Sequence, residues 1–169
     1  MIRLVDCEPW QRAEIESQLS RQIHPAARVD HRPSGAPYLA TDGGELLGVY
    51  ISISHTANYL AFADSDSSCG VDIELLSRRA DHLATRFASP HELDLARAIF
   101  PTNASLFVWC IKEALYKKYD RNGVDCVRDF SLTGAVASGV VEALAFGERV
   151  QLEWCVIEKA DKILQINTI

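Results

Sequence analysis

The segment Gly70-Val71-Asp72-Ile73-Glu74 constrains this chain more than any other. In an extended strand residues two apart share a face, so Val71 and Ile73 enter a core while Asp72 and Glu74 project together. Two carboxylates on one rigid strand repel each other unless a cation or solvent lies between them. Hard oxygen donors in this arrangement suit magnesium, which takes one or two carboxylates together with substrate phosphates and water. An edge strand with a solvated acidic face accounts for the same pattern, and the segment alone does not choose between the two.

The second constraint is helical. Apolar spacing predicts a long helix over Ser105–Tyr119, closed by Gly123, and within it runs Trp109-Cys110-Ile111-Lys112-Glu113-Ala114-Leu115-Tyr116-Lys117. Glu113 and Lys117, four apart, share one face. They are either a simple i,i+4 ion pair or a third metal-binding carboxylate with a phosphate-holding lysine one turn away. Upstream, Ser89-Pro90-His91-Glu92 has serine at the N-cap, proline at the first position and glutamate three residues on, which starts a helix running to Phe100.

Ala13–Ile23 reads as an amphipathic helix, with Ile15, Leu19 and Ile23 on one stripe. Tyr38–Ala40 and Leu46–Ile53 flank an Asp-Gly-Gly turn as a hairpin, Tyr59–Ala63 is a further strand, and the polar run Asp64–Ser68 reads as a connector. Asp81–Ala88 is a short helix, and Phe130–Leu132, Val140–Phe146 and Val150–Ile157 alternate as strands. The expected class is α+β, one long helix on antiparallel strands. In Ser52-Ile53-Ser54-His55-Thr56 the histidine ends an alternating strand, where it either reaches a cleft or is held by structural hydrogen bonds. No G-x-S-x-G elbow surrounds Ser54, which argues against a serine hydrolase.

Net charge is −6, yet all five lysines lie at or after Lys112, three of them within Lys112–Lys118. A short basic spot on an acidic chain suits a small phosphorylated ligand and not a nucleic acid, which needs a broad basic face. No apolar run approaches the ~20 residues of a membrane span, and Met1–Trp10 lacks the basic-then-apolar signal pattern. The expected location is cytoplasmic. Five cysteines with no C-x-x-C pair speak against a zinc site or disulfide framework. Cys110 and Cys155, each following a tryptophan, read as small buried hydrophobes.

The order S-I-S-H, G-V-D-I-E, F-x-S-P-x-E and W-x-x-K-E-A-x-x-K, from about Gly35 to Leu132, resembles the 4′-phosphopantetheinyl transferase superfamily in its larger, surfactin-synthetase-activating type. The resemblance implies a tandem of two similar α+β halves, residues 1–65 and 66–169, with the active site between them in an active monomer. It implies an enzyme that moves 4′-phosphopantetheine from coenzyme A to a serine of an acyl or peptidyl carrier protein. Its metal ligands, for magnesium, fall on Asp72, Glu74 and Glu113, its phosphate contacts on His55, Lys112 and Lys117, and a supporting role on Glu92. Glu113 is the general base of that scheme, and His55 and Lys117 stabilise the phosphates.

Two departures stand out. The family's turn before Tyr38 usually carries a lysine or arginine where this chain has Ala36, and the first half is shorter than in most relatives. Arg21, Arg28 and Arg32 are the cations left to grip coenzyme A, Arg32 foremost. Two rival readings remain at this point: a metal-dependent phosphodiesterase using the same carboxylates, and a catalytically silent module that binds coenzyme A or a carrier protein.

Overall fold

The computed structural model describes residues Met1–Ile169. Its strands are β1 (Ile2–Asp6), β2 (Arg28–His31), β3 (Pro37–Thr41), β4 (Gly44–Glu45), β5 (Tyr50–Thr56), β6 (Tyr59–Ser65), β7 (Val71–Leu75), β8 (Phe130–Ala137), β9 (Val140–Ala145), β10 (Glu148–Glu158) and β11 (Lys162–Thr168). Its α-helices are α1 (Arg12–Ile23), α2 (Pro90–Ile99) and α3 (Ala104–Tyr119). The strands form three antiparallel sheets, β1-β6-β5, β2-β3-β4 and β7-β11-β10-β9-β8. The expected α+β class is therefore what the chain adopts. No helix is long and apolar enough to cross a membrane.

The largest core lies after residue 79, where α2 and α3 cover the five-stranded sheet with 22 buried residues, against seven in the cluster around Leu39, Leu60 and Phe62. The first part of the chain therefore has little core of its own and relies on what it shares. That shared layer joins Tyr59, Ala61 and Ala63 of β6 to Val71 and Ile73 of β7 and Ile163 of β11. Val71 and Ile73 are fully buried there, as the alternation of their segment requires.

Local signals set the helices. Glu92 accepts the Ser89 amide at 2.9 Å while the Ser89 hydroxyl accepts the Glu92 amide at 3.3 Å, closing the capping box of α2. Asn103 caps α3 by accepting from the Leu106 amide at 3.2 Å. Helix α3 ends earlier than Gly123: Asp120, at φ 42°, takes the left-handed cap, a conformation an aspartate tolerates better than most side chains.

Three further differences have physical causes. Leu46–Ile53 is not one strand: only Gly44–Glu45 pairs with β3, and β5, starting at Tyr50, pairs with β6 in another sheet. Gly48, at φ 79°, and the exposed Leu47 mark where the chain leaves the first hairpin. Strand β11 lies inside its sheet between β7 and β10 with both Ile163 and Leu164 buried, so it carries no clean alternation to read. Cys155 is exposed on β10, whereas Cys110 is buried as expected, and all five cysteines are free thiols.

Gly70 is fixed by a close approach. A Cβ built there would lie 1.9 Å from the Ala114 carbonyl oxygen and 2.9 Å from the Lys118 amide nitrogen, so the backbone of α3 rests directly on the start of β7. Neither atom belongs to a side chain that can swing away. Gly70→Ala is expected to cost about 3 kcal/mol, the upper end for overpacking, and to lower the calorimetric melting temperature by roughly 6 °C or more. An unchanged melting temperature would contradict the contact.

Candidate active site at the seam between two sheets

Strands β5 and β7 meet edge to edge without a backbone ladder between them. Side chains replace it. The Ser52 hydroxyl accepts the Val71 amide at 3.0 Å, and the Ser54 hydroxyl accepts the Ile73 amide at 3.2 Å. Ser54 also donates to Asp72 Oδ1 at 2.8 Å, and the Thr56 hydroxyl donates to Glu74 Oε2 at 3.1 Å. Ser52, Ser54 and Thr56 stand two apart, so one face of β5 presents a row of hydroxyls to both the amides and the carboxylates of β7. Sequence reasoning singled out His55 and passed over these neighbours, although S-x-S-x-T alternation was the available signal.

Helix α3, seated on Gly70, brings its charged residues to the same place. Lys117 donates to Asp72 Oδ1 at 2.7 Å and to the Val71 carbonyl at 3.0 Å. Arg78 ion-pairs with Glu74. Burial, and then the negative charge of Asp72, push the carboxyls of both Glu74 and Glu113 above their ordinary value. Asp72, Glu74 and Glu113 thus share one electrostatic neighbourhood, contributed by a strand and the helix packed on it.

Their fit to a cation rests on one atom. Asp72 Oδ2 is buried and meets no strong hydrogen-bond donor, the carboxyl having only the weakly donating Cys110 thiol beside it, which an acceptor-only oxygen tolerates poorly. A hard divalent ion would satisfy it and relieve the repulsion among the three carboxyls. The side chains do not come together as a group of three metal ligands, and Lys117 and Arg78 pair with Asp72 and Glu74.

Beside this cluster opens a cleft of about 480 Å³, within the usual range for small-molecule sites. Arg32, Tyr38 and Ser52 line one side, and Glu113, Lys117 and Lys118 of α3 the other. Arg32 stacks over the Tyr38 ring at 4.8 Å and pairs with Glu45 at 2.5 Å. Arg21 folds back on Ser17 of its own helix, and Arg28 pairs with Asp42 at 3.4 Å, so neither borders the cleft. His55 is exposed and lies outside the cleft lining, its Nε2 3.3 Å from Arg12 Nη1. Burial and the Arg12 and Lys117 charges lower its pKa below 6.5, favouring the neutral ring that accepts from Arg12. The sequence reading did not include Arg12 among its cations.

Lys112 must be corrected. Its side chain is 2 % exposed, its ammonium lies 2.7 Å from Glu92 Oε1, and it donates to the carbonyls of Cys126 at 2.7 Å and Phe130 at 3.0 Å. All three protons are used inside the fold, so Lys112 has none for a phosphate. Helical spacing carried the signal: Lys112 lies four residues after Val108 and three before Leu115, both fully buried. Glu92, also accepting the Leu132 amide at 3.0 Å, ties α2, α3 and β8 into one node.

A model of the 4′-phosphopantetheinyl transferase superfamily matches residues 68–162, more than half of the chain. The chain belongs to that superfamily, whose members are phosphopantetheinyl transferases. None of the curated proteins matches it. The matched stretch holds β7, α2 and α3, and so Asp72, Glu74, Glu92, Glu113 and Lys117, while β5 and Arg32 lie before it.

The buried pair gives a direct test of the Lys112 correction. Lys112→Met leaves the Glu92 carboxylate uncompensated and is expected to destabilise by roughly 3–5 kcal/mol, with most of that loss recovered in Glu92→Gln/Lys112→Met. Chemical denaturation of the three proteins reads it out. A Lys112→Met protein as stable as the parent would mean that the ammonium is not held inside.

Proposed function

We propose that this chain transfers 4′-phosphopantetheine from coenzyme A to a serine of an apo acyl or peptidyl carrier protein, giving holo-carrier and 3′,5′-adenosine bisphosphate. The observation that carries this reading is the buried Asp72 Oδ2 without a strong donor, in a carboxylate cluster whose Glu113 and Lys117 line a ligand-sized cleft. Asp72, Glu74 and Glu113 would hold magnesium, which supplies charge neutralisation to the pyrophosphate as it is cleaved.

The chain's own residues do the rest. The carrier serine attacks the β-phosphate, and its proton passes to Glu113, the carboxylate that α3 brings to the cleft one turn from Lys117. Lys117 exchanges Asp72 for the departing α-phosphate and neutralises it as the bond breaks. His55, neutral and accepting from Arg12 at Nε2, donates its Nδ1–H to a pyrophosphate oxygen. Ser54 and Thr56 orient the two β7 carboxylates. Residues 1–65 and 66–169 form the two halves, the site is complete within one chain, and the active species is a cytoplasmic monomer. The tie between Arg32 and Glu45 favours a second reading, weak binding of coenzyme A without efficient transfer.

Magnesium should stabilise the free protein, because it relieves the repulsion that raises Glu74 and Glu113. At a concentration about 100 times its dissociation constant the gain is ~2.7 kcal/mol, read as a higher melting temperature in the parent and none in Asp72→Ala. Equal stabilisation of both proteins would place the ion elsewhere.

Activity is tested by incubating the protein with coenzyme A, magnesium and a panel of apo-carriers and weighing each carrier. Phosphopantetheine addition is expected in the parent and none in Asp72→Ala. Lys117→Ala should lose on the order of 10²-fold in kcat, the scale of a deleted transition-state donor. No mass gain on any carrier, with coenzyme A bound, would leave the silent module as the correct reading.

A further inference from the structure

Three side chains with permanent positive charge line the cleft: Arg32, Lys117 and Lys118. Two are already engaged by carboxylates. Arg32 pairs with Glu45, and Glu45 and Asp120 both add to the field that holds its proton. Lys117 pairs with Asp72. Lys118 takes part in none of the chain's ion pairs. Its ammonium donates only to the Ser68 carbonyl, at 2.6 Å, which leaves two of its three protons for a ligand.

The ammonium is also held in place. The Ser68 hydroxyl donates to the Lys118 carbonyl, so residue and connector are joined by reciprocal bonds. The same cleft presents Tyr50 and Tyr116, residues 49 % and 41 % exposed. A preorganised, uncompensated ammonium near exposed aromatic rings is what a nucleoside phosphate requires: apolar faces for the base, a cation for the phosphate.

Coenzyme A carries two separate phosphate groups, the pyrophosphate that reacts and a phosphomonoester on the ribose. Lys117 sits at the carboxylate cluster, where the pyrophosphate must lie. Lys118 is the next residue on the helix and points about 100° away around the axis, since 3.6 residues complete a turn. We propose that Lys118 binds the ribose phosphomonoester of coenzyme A, supplying the second cation that Lys112 cannot provide. This rests on the reading of coenzyme A as the substrate.

The test compares coenzyme A with dephospho-coenzyme A, which differs only by the phosphomonoester, using titration calorimetry on the parent, Lys118→Ala and Lys118→Arg. The variants keep the Ser68 bond to the main-chain carbonyl, so the connector stays attached. The parent should bind coenzyme A the more tightly. Lys118→Ala should weaken coenzyme A binding by about 10-fold or more, the scale of one hydrogen bond to a charged group, and leave dephospho-coenzyme A unchanged. Lys118→Arg should keep the preference. Equal weakening of both ligands, or of neither, overturns the assignment of Lys118 alone. A parent that binds neither ligand overturns the coenzyme A reading itself, and this assignment with it.

Discussion

Two amide groups of β7, those of Val71 and Ile73, are bonded by serine hydroxyls of β5 and not by backbone carbonyls. The rest of the arrangement depends on that substitution. A backbone ladder would merge two sheets into one, with Asp72 and Glu74 caught among neighbouring side chains. Hydroxyl bridges hold the sheets together yet leave room for the carboxylates, and the Ser54 and Thr56 hydroxyls then orient them. The apolar half of the same junction, Tyr59, Ala61 and Ala63 against Val71, Ile73 and Ile163, stabilises both sides together.

Crowded negative charge is the consequence. Burial raises the carboxyls of Glu74 and Glu113, and Asp72 raises them further. Acidic groups kept together in a partly dry seam cost stability, and such groups cluster at functional sites. Lys117 and Arg78 offset the repulsion by pairing with Asp72 and Glu74. The second buried pair, Glu92 with Lys112, is different in kind: it is 1 % and 2 % exposed, fully hydrogen-bonded and remote from solvent. One charge network faces the cleft and the other builds the scaffold behind it.

The strand Val71–Leu75 and the capping box at Ser89 were legible because each is set by its own residues, through period-two alternation and local hydrogen bonds. So was α3, through its length. What α3 does with each lysine was not legible from the motif alone. Leu106, Phe107, Val108, Cys110, Ile111, Ala114 and Leu115 are all buried, so the helix has little polar face from which to read orientation. Lys112, Lys117 and Lys118 then differ only by what packs against them: a core with Glu92 inside it, the edge of β7, and the connector at Ser68. The hydroxyl row on β5 was missed because serine and threonine at alternating positions suggest a polar strand face as readily as a bridge.

The central claim is that one chain assembles the whole site at its internal seam. Transfer rate per chain, measured over a dilution series alongside light scattering, tests it most directly. A site complete within one chain gives monomer mass throughout and a rate per chain that does not change with concentration. An oligomer whose activity falls as it dissociates would contradict it, because a residue from a second copy would then be needed to complete the site.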